Sequence, residues 1–148
     1  YQAESIFLFS DETRVVSFSL TGARLRQILE HGVSDGSLGK GGFLQVSGVA
    51  FTYDPSSPSG ARIVGGLNHH AGGVIRPTDT LKVAFPAYPA CDGGDGYDVP
   101  EAKPACDNRK SAPRAVDLLG SYVSDSLGGT VTAPVGGRIM RGTNTNPG

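Results

Sequence analysis

Glycine and proline cut this chain into short pieces. With 22 glycines and 10 prolines among 148 residues, a break falls every few positions, and each is a place where a regular element stops or turns. The hydrophobic share is 38%, and apolar clusters recur along the whole length, so the glycine and proline content explains the modest share better than disorder does. The expectation is a folded, loop-rich domain with one apolar core.

Between the breaks, the periodicities name the elements. Residues 14–20 alternate apolar with polar, which puts Val16, Phe18 and Leu20 on one face of a half-buried strand. Thr21 then caps a short helix in which Leu25, Ile28, Leu29 and Val33 recur at helical spacing, with Gly32 as its stop. A flexible loop with four glycines follows over residues 34–42, then a strand over 43–53, a turn over 54–60 and a returning strand over 61–64. Residues 81–85 read as another strand, and 88–113 as a long irregular region, a length that in compact domains usually carries function. A second helix begins near Ser111 and Pro113, with Val116, Leu119, Tyr122, Val123 and Leu127 as its apolar stripe. A last strand over 137–140 precedes a polar tail expected to fray.

Charge and motifs exclude several classes of function. Thirteen basic against fourteen acidic side chains leave a net charge of -1, which gives nucleic acid or an anionic membrane no electrostatic footprint. The apolar stretches fall far short of the roughly 20 residues a spanning helix needs. The chain starts at Tyr1 without a leader and so reads as a mature or excised piece. Cys91 and Cys106 sit in polar, Gly/Pro-rich surroundings, which favours a disulfide and an oxidising compartment over two unrelated buried thiols. The adjacent His69 and His70 would point to opposite faces of an extended segment, so a solvated loop is expected there and no metal site. Nucleophile elbows and phosphate-cradling loops are missing, and no catalysis by this chain itself is expected.

Several blocks, in order, resemble the C-terminal domain of the 5'-nucleotidase, UDP-sugar hydrolase and 2',3'-cyclic phosphodiesterase family. They are Leu20-Thr21-Gly22-Ala23-Arg24-Leu25-Arg26 leading into Leu29-Glu30-His31-Gly32-Val33; Phe43-Leu44-Gln45-Val46-Ser47-Gly48 with Thr52-Tyr53-Asp54; Val83-Ala84-Phe85-Pro86-Ala87-Tyr88 followed by Gly93-Gly94-Asp95-Gly96-Tyr97; and the closing Gly136-Gly137-Arg138-Ile139. Each block alone is common, whereas their joint order and spacing are specific. The resemblance implies an α+β fold of layered α/β/β/α type over residues 1–142, with 143–148 as a flexible tail. It implies a nucleoside- or nucleotide-binding domain of a periplasmic or extracellular phosphohydrolase. Two divalent metal ions would lie in an N-terminal metallophosphoesterase domain of the same polypeptide. In that family two aromatics sandwich the base, and they fall on Phe9 and Tyr88. Asp95 matches the carboxylate that accepts from ribose hydroxyls, Asp11 a position at the base edge, and Gly41 a backbone contact. The family's phosphate-gripping arginine precedes the domain and is not in this sequence, so nucleoside is expected to bind about as well as nucleotide.

The residues by themselves also admit plainer readings. Phe9 ends an apolar run, Ile6-Phe7-Leu8-Phe9, and reads as core; Asp95 in a glycine turn reads as a turn former. Against the family pattern, the sequence has an extra residue between Tyr88 and the turn, and a longer excursion to Cys106. A non-catalytic nucleoside-binding or adhesive module is the alternative function, as is a domain of a cyclic-nucleotide or sugar-nucleotide hydrolase.

Overall fold

The computed structural model describes residues 13–35, 41–132 and 136–143. Within them lie six strands and four short α-helices. In chain order they are β1 (Val15–Thr21), α1 (Gly22–Gly32), β2 (Val49–Tyr53), β3 (Ile63–His69), β4 (Val74–Ile75), β5 (Thr80–Pro86), α2 (Ala87–Cys91), α3 (Lys103–Asp107), α4 (Ala115–Ser121) and β6 (Ile139–Arg141). The class is α+β. Strands β1 and β5 form one sheet, and a second runs in the order β4-β3-β2-β6. By its contacts the chain forms two compact units, one of Tyr1–Ser19 with Lys82–Pro134, the other of Leu20–Leu81 with Val135–Gly148.

In the Leu20–Leu81 unit the core is built by α1 and the four-stranded sheet. Leu29 and Val33 from the helix pack with Phe51 and Tyr53 of β2, Ile63 and Leu67 of β3, and Ile75 of β4, all at 6% exposure or less. Each such side chain contributes roughly 1.5–3 kcal/mol on burial. The helix is anchored by polar contacts as well. Buried Glu30 accepts from the backbone N–H groups of Arg62 (2.8 Å) and Ile63 (2.9 Å), while Arg62 donates through Nη1 to the Val33 carbonyl at 2.7 Å. A buried carboxylate is tolerated here because backbone donors and the nearby Arg26 guanidinium, 3.7 Å away, replace the water it lost.

The junction from β1 to α1 explains the Leu-Thr-Gly block. The Thr21 side chain accepts from the Arg24 N–H at 3.2 Å, the expected cap. The Gly22 and Ala23 N–H groups, which no helix residue can satisfy, donate to the Asp79 and Pro77 carbonyls, each at 2.9 Å. This brings the helix start so close to the 76–79 turn that a β-carbon on Gly22 would overlap the Arg76 carbonyl oxygen and lie 3.0 Å from its carbon.

Four expectations need correction. The strand expected over 43–53 is regular only from Val49, because Gly48 takes φ +80°, which ends the pleat; Phe43 is still buried. The returning strand runs on to His69, and a bulge opposite Phe51 absorbs Gly65 (φ +69°), Gly66 and Leu67. The stretch 88–113 is a chain of short helical turns more than a loop, with α2, α3 and 3-10 turns at Gly94–Gly96, Pro100–Ala102 and Arg109–Ser111. The second helix starts after Arg114 and is not capped by Ser111. Pro113 and Arg114 are held extended beside β1, with the Val15 N–H donating to the Pro113 carbonyl at 3.0 Å and Ala115 N–H to Thr13 at 2.8 Å. A π-turn, Tyr122–Ser126, follows, and Tyr122 and Leu127 of the expected stripe are exposed.

The close approach at Gly22 makes a direct prediction. Gly22→Ala should lower unfolding stability by about 3 kcal/mol, since the obstacle is backbone and cannot rotate away. Urea unfolding of the variant checks it, and a loss under about 1 kcal/mol would contradict the crowded geometry.

Candidate functional site

The unit that contains Lys82–Pro134 carries most of the predicted site residues. Strand β5 ends at Pro86, whose fixed φ of -59° turns the chain into α2. The Ala87 N–H donates to the Arg14 carbonyl at 2.8 Å, which pins that helix start to the beginning of β1. Tyr88 is the second residue of α2, and it is 61% exposed, unusual for an aromatic that is not a surface accident.

What holds this ring is the glycine turn. Gly93 takes φ +67° and Gly96 φ +78°, so the chain reverses tightly over Gly94–Gly96. The ring of Tyr88 lies against the Gly94 α-carbon: a β-carbon there would overlap Cδ1 and Cε1 and sit 2.5 Å from Cζ. Glycine at 94 is therefore a seat for the ring and not merely a turn former. Asp95 next to it has φ 55°, the single positive φ outside glycine among the described residues. Such a conformation costs of order 1 kcal/mol and is tolerated best by Asp and Asn.

Tyr97 closes the turn from inside. It is buried, with its ring edge-on to Phe85 at 6.0 Å, and Phe85 in turn meets Phe18 at 6.4 Å. Burial first, and the Asp95 carboxylate second, hold its hydroxyl well above the ordinary phenol range.

The expected disulfide is present. Cys91, the last residue of α2, is bonded to Cys106 in α3 with Cα atoms 5.5 Å apart. A bridge closing a loop of this length stabilises by roughly 3 kcal/mol. An Arg109–Asp92 ion pair adds a second tie across the same excursion.

Beside the ring lies a cavity of about 560 Å³. Thr13 and Arg14 line it at the start of β1, Ala87, Tyr88 and Asp92 around α2, and Arg109 and Lys110 after α3. Ligand pockets occupy roughly 300–1,000 Å³. A neighbouring cavity of about 500 Å³ is lined by the disulfide, Gly93, Tyr97, Asp98, Lys103, Asp107 and Arg109 among others. There the basic and acidic side chains balance.

The predicted residues are thus partly assembled. Tyr88 and Asp95 belong to one structure, with Gly94 between them in role; Asp95 does not line the cavity next to Tyr88. Gly41 is exposed in a turn ahead of Phe43 and belongs to the other unit. Phe9 and Asp11 lie outside the described residues. Sequence reasoning missed Gly94 as a seat, and Arg14, Asp92, Arg109 and Lys110 as cavity walls; only the fold brings those segments together. Among the described residues no cluster of three or more His, Cys, Asp or Glu could hold a metal ion. No helix among them is long and apolar enough to cross a membrane.

Comparison with known proteins decides the family. Residues 2–102 match the family model of the 5'-nucleotidase, C-terminal domain. The chain belongs to that family. A snake venom 5'-nucleotidase of Macrovipera lebetinus is 34% identical to this C-terminal domain over 111 residues, covering 70% of the chain and 26% of the relative. That of Gloydius brevicauda is 32% identical over 133 residues, covering 85% and 22%. In fold, the 5'-nucleotidase precursor from Thermus thermophilus superposes with a TM-score of 0.73 at 24% identity, over 99% of this chain and 28% of that one. The chain thus spans about a quarter of the length of these proteins.

The Tyr97 hydroxyl sets a pH dependence for this 5'-nucleotidase C-terminal domain. A phenol held neutral in the folded state, but free to ionise near pH ~10 when unfolded, contributes stability that is complete below pH ~10 and is lost as pH rises through the raised folded value. Urea midpoints measured from about pH 8 to about pH 11 should fall above pH ~10, and the fall should be shallower in Tyr97→Phe. Equal slopes in the two proteins would contradict the buried, Asp95-facing position.

Proposed function

We propose that this chain is the substrate-binding domain of an extracytoplasmic, metal-dependent nucleotide phosphohydrolase, in which Tyr88 is the platform for the nucleobase. The observation that carries the reading is the seated ring. An aromatic residue 61% exposed, backed by a glycine that leaves no room for any other side chain, offers a flat surface with a defined pose. Stacking on such a surface contributes roughly 1–3 kcal/mol per base and tolerates any base. Because the ring is seated before ligand arrives, little of that is spent on ordering it.

The neighbouring residues are assigned accordingly. Asp95, an acceptor-only group when ionised, takes the ribose hydroxyls; its left-handed backbone is the strain expected where a side chain is aimed at a task. Phe9 is the second face of the base sandwich, Asp11 meets the base edge and Gly41 supplies a backbone contact, all three on the family resemblance. The binding domain runs over residues 1–142, with 143–148 as tail.

The chemistry belongs elsewhere in the parent polypeptide. The relatives are about three to four times as long as this chain, which leaves room for an N-terminal metallophosphoesterase domain holding two divalent ions. The described residues of this chain supply no donor set for them; His69 ends β3 and His70 begins the turn to β4, both exposed. The Cys91–Cys106 bridge and the venom origin of the relatives support a periplasmic or extracellular location. The domain would capture the nucleoside moiety so that binding energy remote from phosphorus positions the phosphate on the metals.

Adenosine titrated calorimetrically into the chain tests the platform. Binding is expected, with Tyr88→Ala weakening it by about tenfold or more. Gly94→Ala, which unseats a side chain free to rotate away, should weaken it comparably while costing little stability. Adenosine affinity unchanged in both variants would overturn the assignment.

A further inference from the structure

Cys91 occupies the middle of the segment that makes the platform. It lies three residues after Tyr88 and three before Gly94, the two positions that touch. The segment has little rigidity of its own. Helix α2 is five residues long, and a helix so short is marginal without outside support. Pro86 gives its start no side-chain cap, and its last turn carries no basic residue. Gly93 follows at φ +67°, and glycine loses more freedom on ordering than any other residue.

Two ties hold the middle of this segment, and they are unequal. The Arg109–Asp92 pair joins side chains that are 45% and 46% exposed, where solvent screens most of the attraction. The Cys91–Cys106 bridge is covalent. Its far end lies in α3, which buries no residue of its own and so adds little packing to the tie. Both cysteines are half-buried and line the cavity of about 500 Å³, which gives a reductant in solution a way to the sulfurs.

From this we infer that the Cys91–Cys106 bridge is a redox-sensitive positioning bond for the base platform. Closed, it holds α2 so that the Tyr88 ring stays against Gly94. Open, it lets the ring leave its seat, and the ordering done in advance falls on the binding step instead. The inference rests on Tyr88 as the platform and adds the regulation of that site. The reductant is a dithiol. One of its thiolates attacks a bridge sulfur, the other cysteine leaves as a thiolate and takes up a proton, and the second thiol of the reductant displaces the first cysteine from the mixed disulfide. Two electrons and two protons pass to the chain, which ends with two thiols, and the reductant ends as a disulfide. The core survives the change, because Phe18, Phe85 and Tyr97 support the turn through ring contacts that the bridge does not make.

Calorimetric titration of the chain with adenosine, before and after reduction by dithiothreitol, tests the bond. The reduced chain should bind about tenfold more weakly, regain its affinity on reoxidation, and keep its far-UV circular dichroism throughout. The double variant Cys91→Ser, Cys106→Ser should match the reduced chain and ignore dithiothreitol. A general loosening would weaken binding too, so Tyr88→Ala is the control: with the ring gone, reduction should change affinity by less than about twofold. Equal affinity in the oxidised and reduced chains, or a loss of the same size in Tyr88→Ala, overturns the positioning role, as does loss of the circular dichroism spectrum on reduction. The Gly94 α-proton shift separates this claim from the stacking reading. A ring-current shift that collapses on reduction while adenosine binds neither form would keep the bond and sink the nucleobase platform; a shift that reduction leaves unmoved overturns the bond whatever adenosine does.

Discussion

An aromatic ring occupies the space where residue 94 would carry its β-carbon. That single contact links the features of the site: it needs glycine at 94, it needs the tight reversal that Gly93 and Gly96 make with positive φ, and it needs α2 held at both ends. Pro86 and the Arg14 carbonyl hold one end of α2, and the disulfide holds the other. Beneath the turn, Tyr97, Phe85 and Phe18 form the apolar support. An exposed aromatic is ordinarily mobile, and it is the seat that turns Tyr88 into a surface with a fixed orientation.

The same logic of close approach governs the other end of the chain's signature. Gly22 lets the start of α1 reach the carbonyls of the 76–79 turn, as Gly94 lets Tyr88 reach the backbone of its turn. Two of the short motifs that mark the family are thus positions where the fold has no volume for a side chain. Their role is steric.

How much of this was legible in the sequence depended on whether the signal was local. Thr21 as a cap and Val16, Phe18 and Leu20 as a buried face follow from neighbours a few residues away, and the structure has them. Gly48 inside an apparently continuous strand looked like any other glycine; its left-handed φ, and the break it causes, depend on where β2 must pair. Ser111 read as a helix cap because it precedes a stripe, but the β1 backbone takes the Pro113 carbonyl and delays the helix to Ala115. Tyr88 and Asp95 are candidates from a family pattern, whereas Arg14, Asp92, Arg109 and Lys110 come from separate stretches of sequence and meet only around one cavity.

The central claim is that the Tyr88 ring stacks on the base, and a nuclear Overhauser experiment on the chain with bound adenosine reads it directly. Cross-peaks are predicted between the adenine ring protons and the Tyr88 ring protons, together with a change in the ring-current shift of the Gly94 α-protons behind it. Adenine protons that instead report only on other side chains, with the Tyr88 and Gly94 signals unmoved at saturation, would contradict the account.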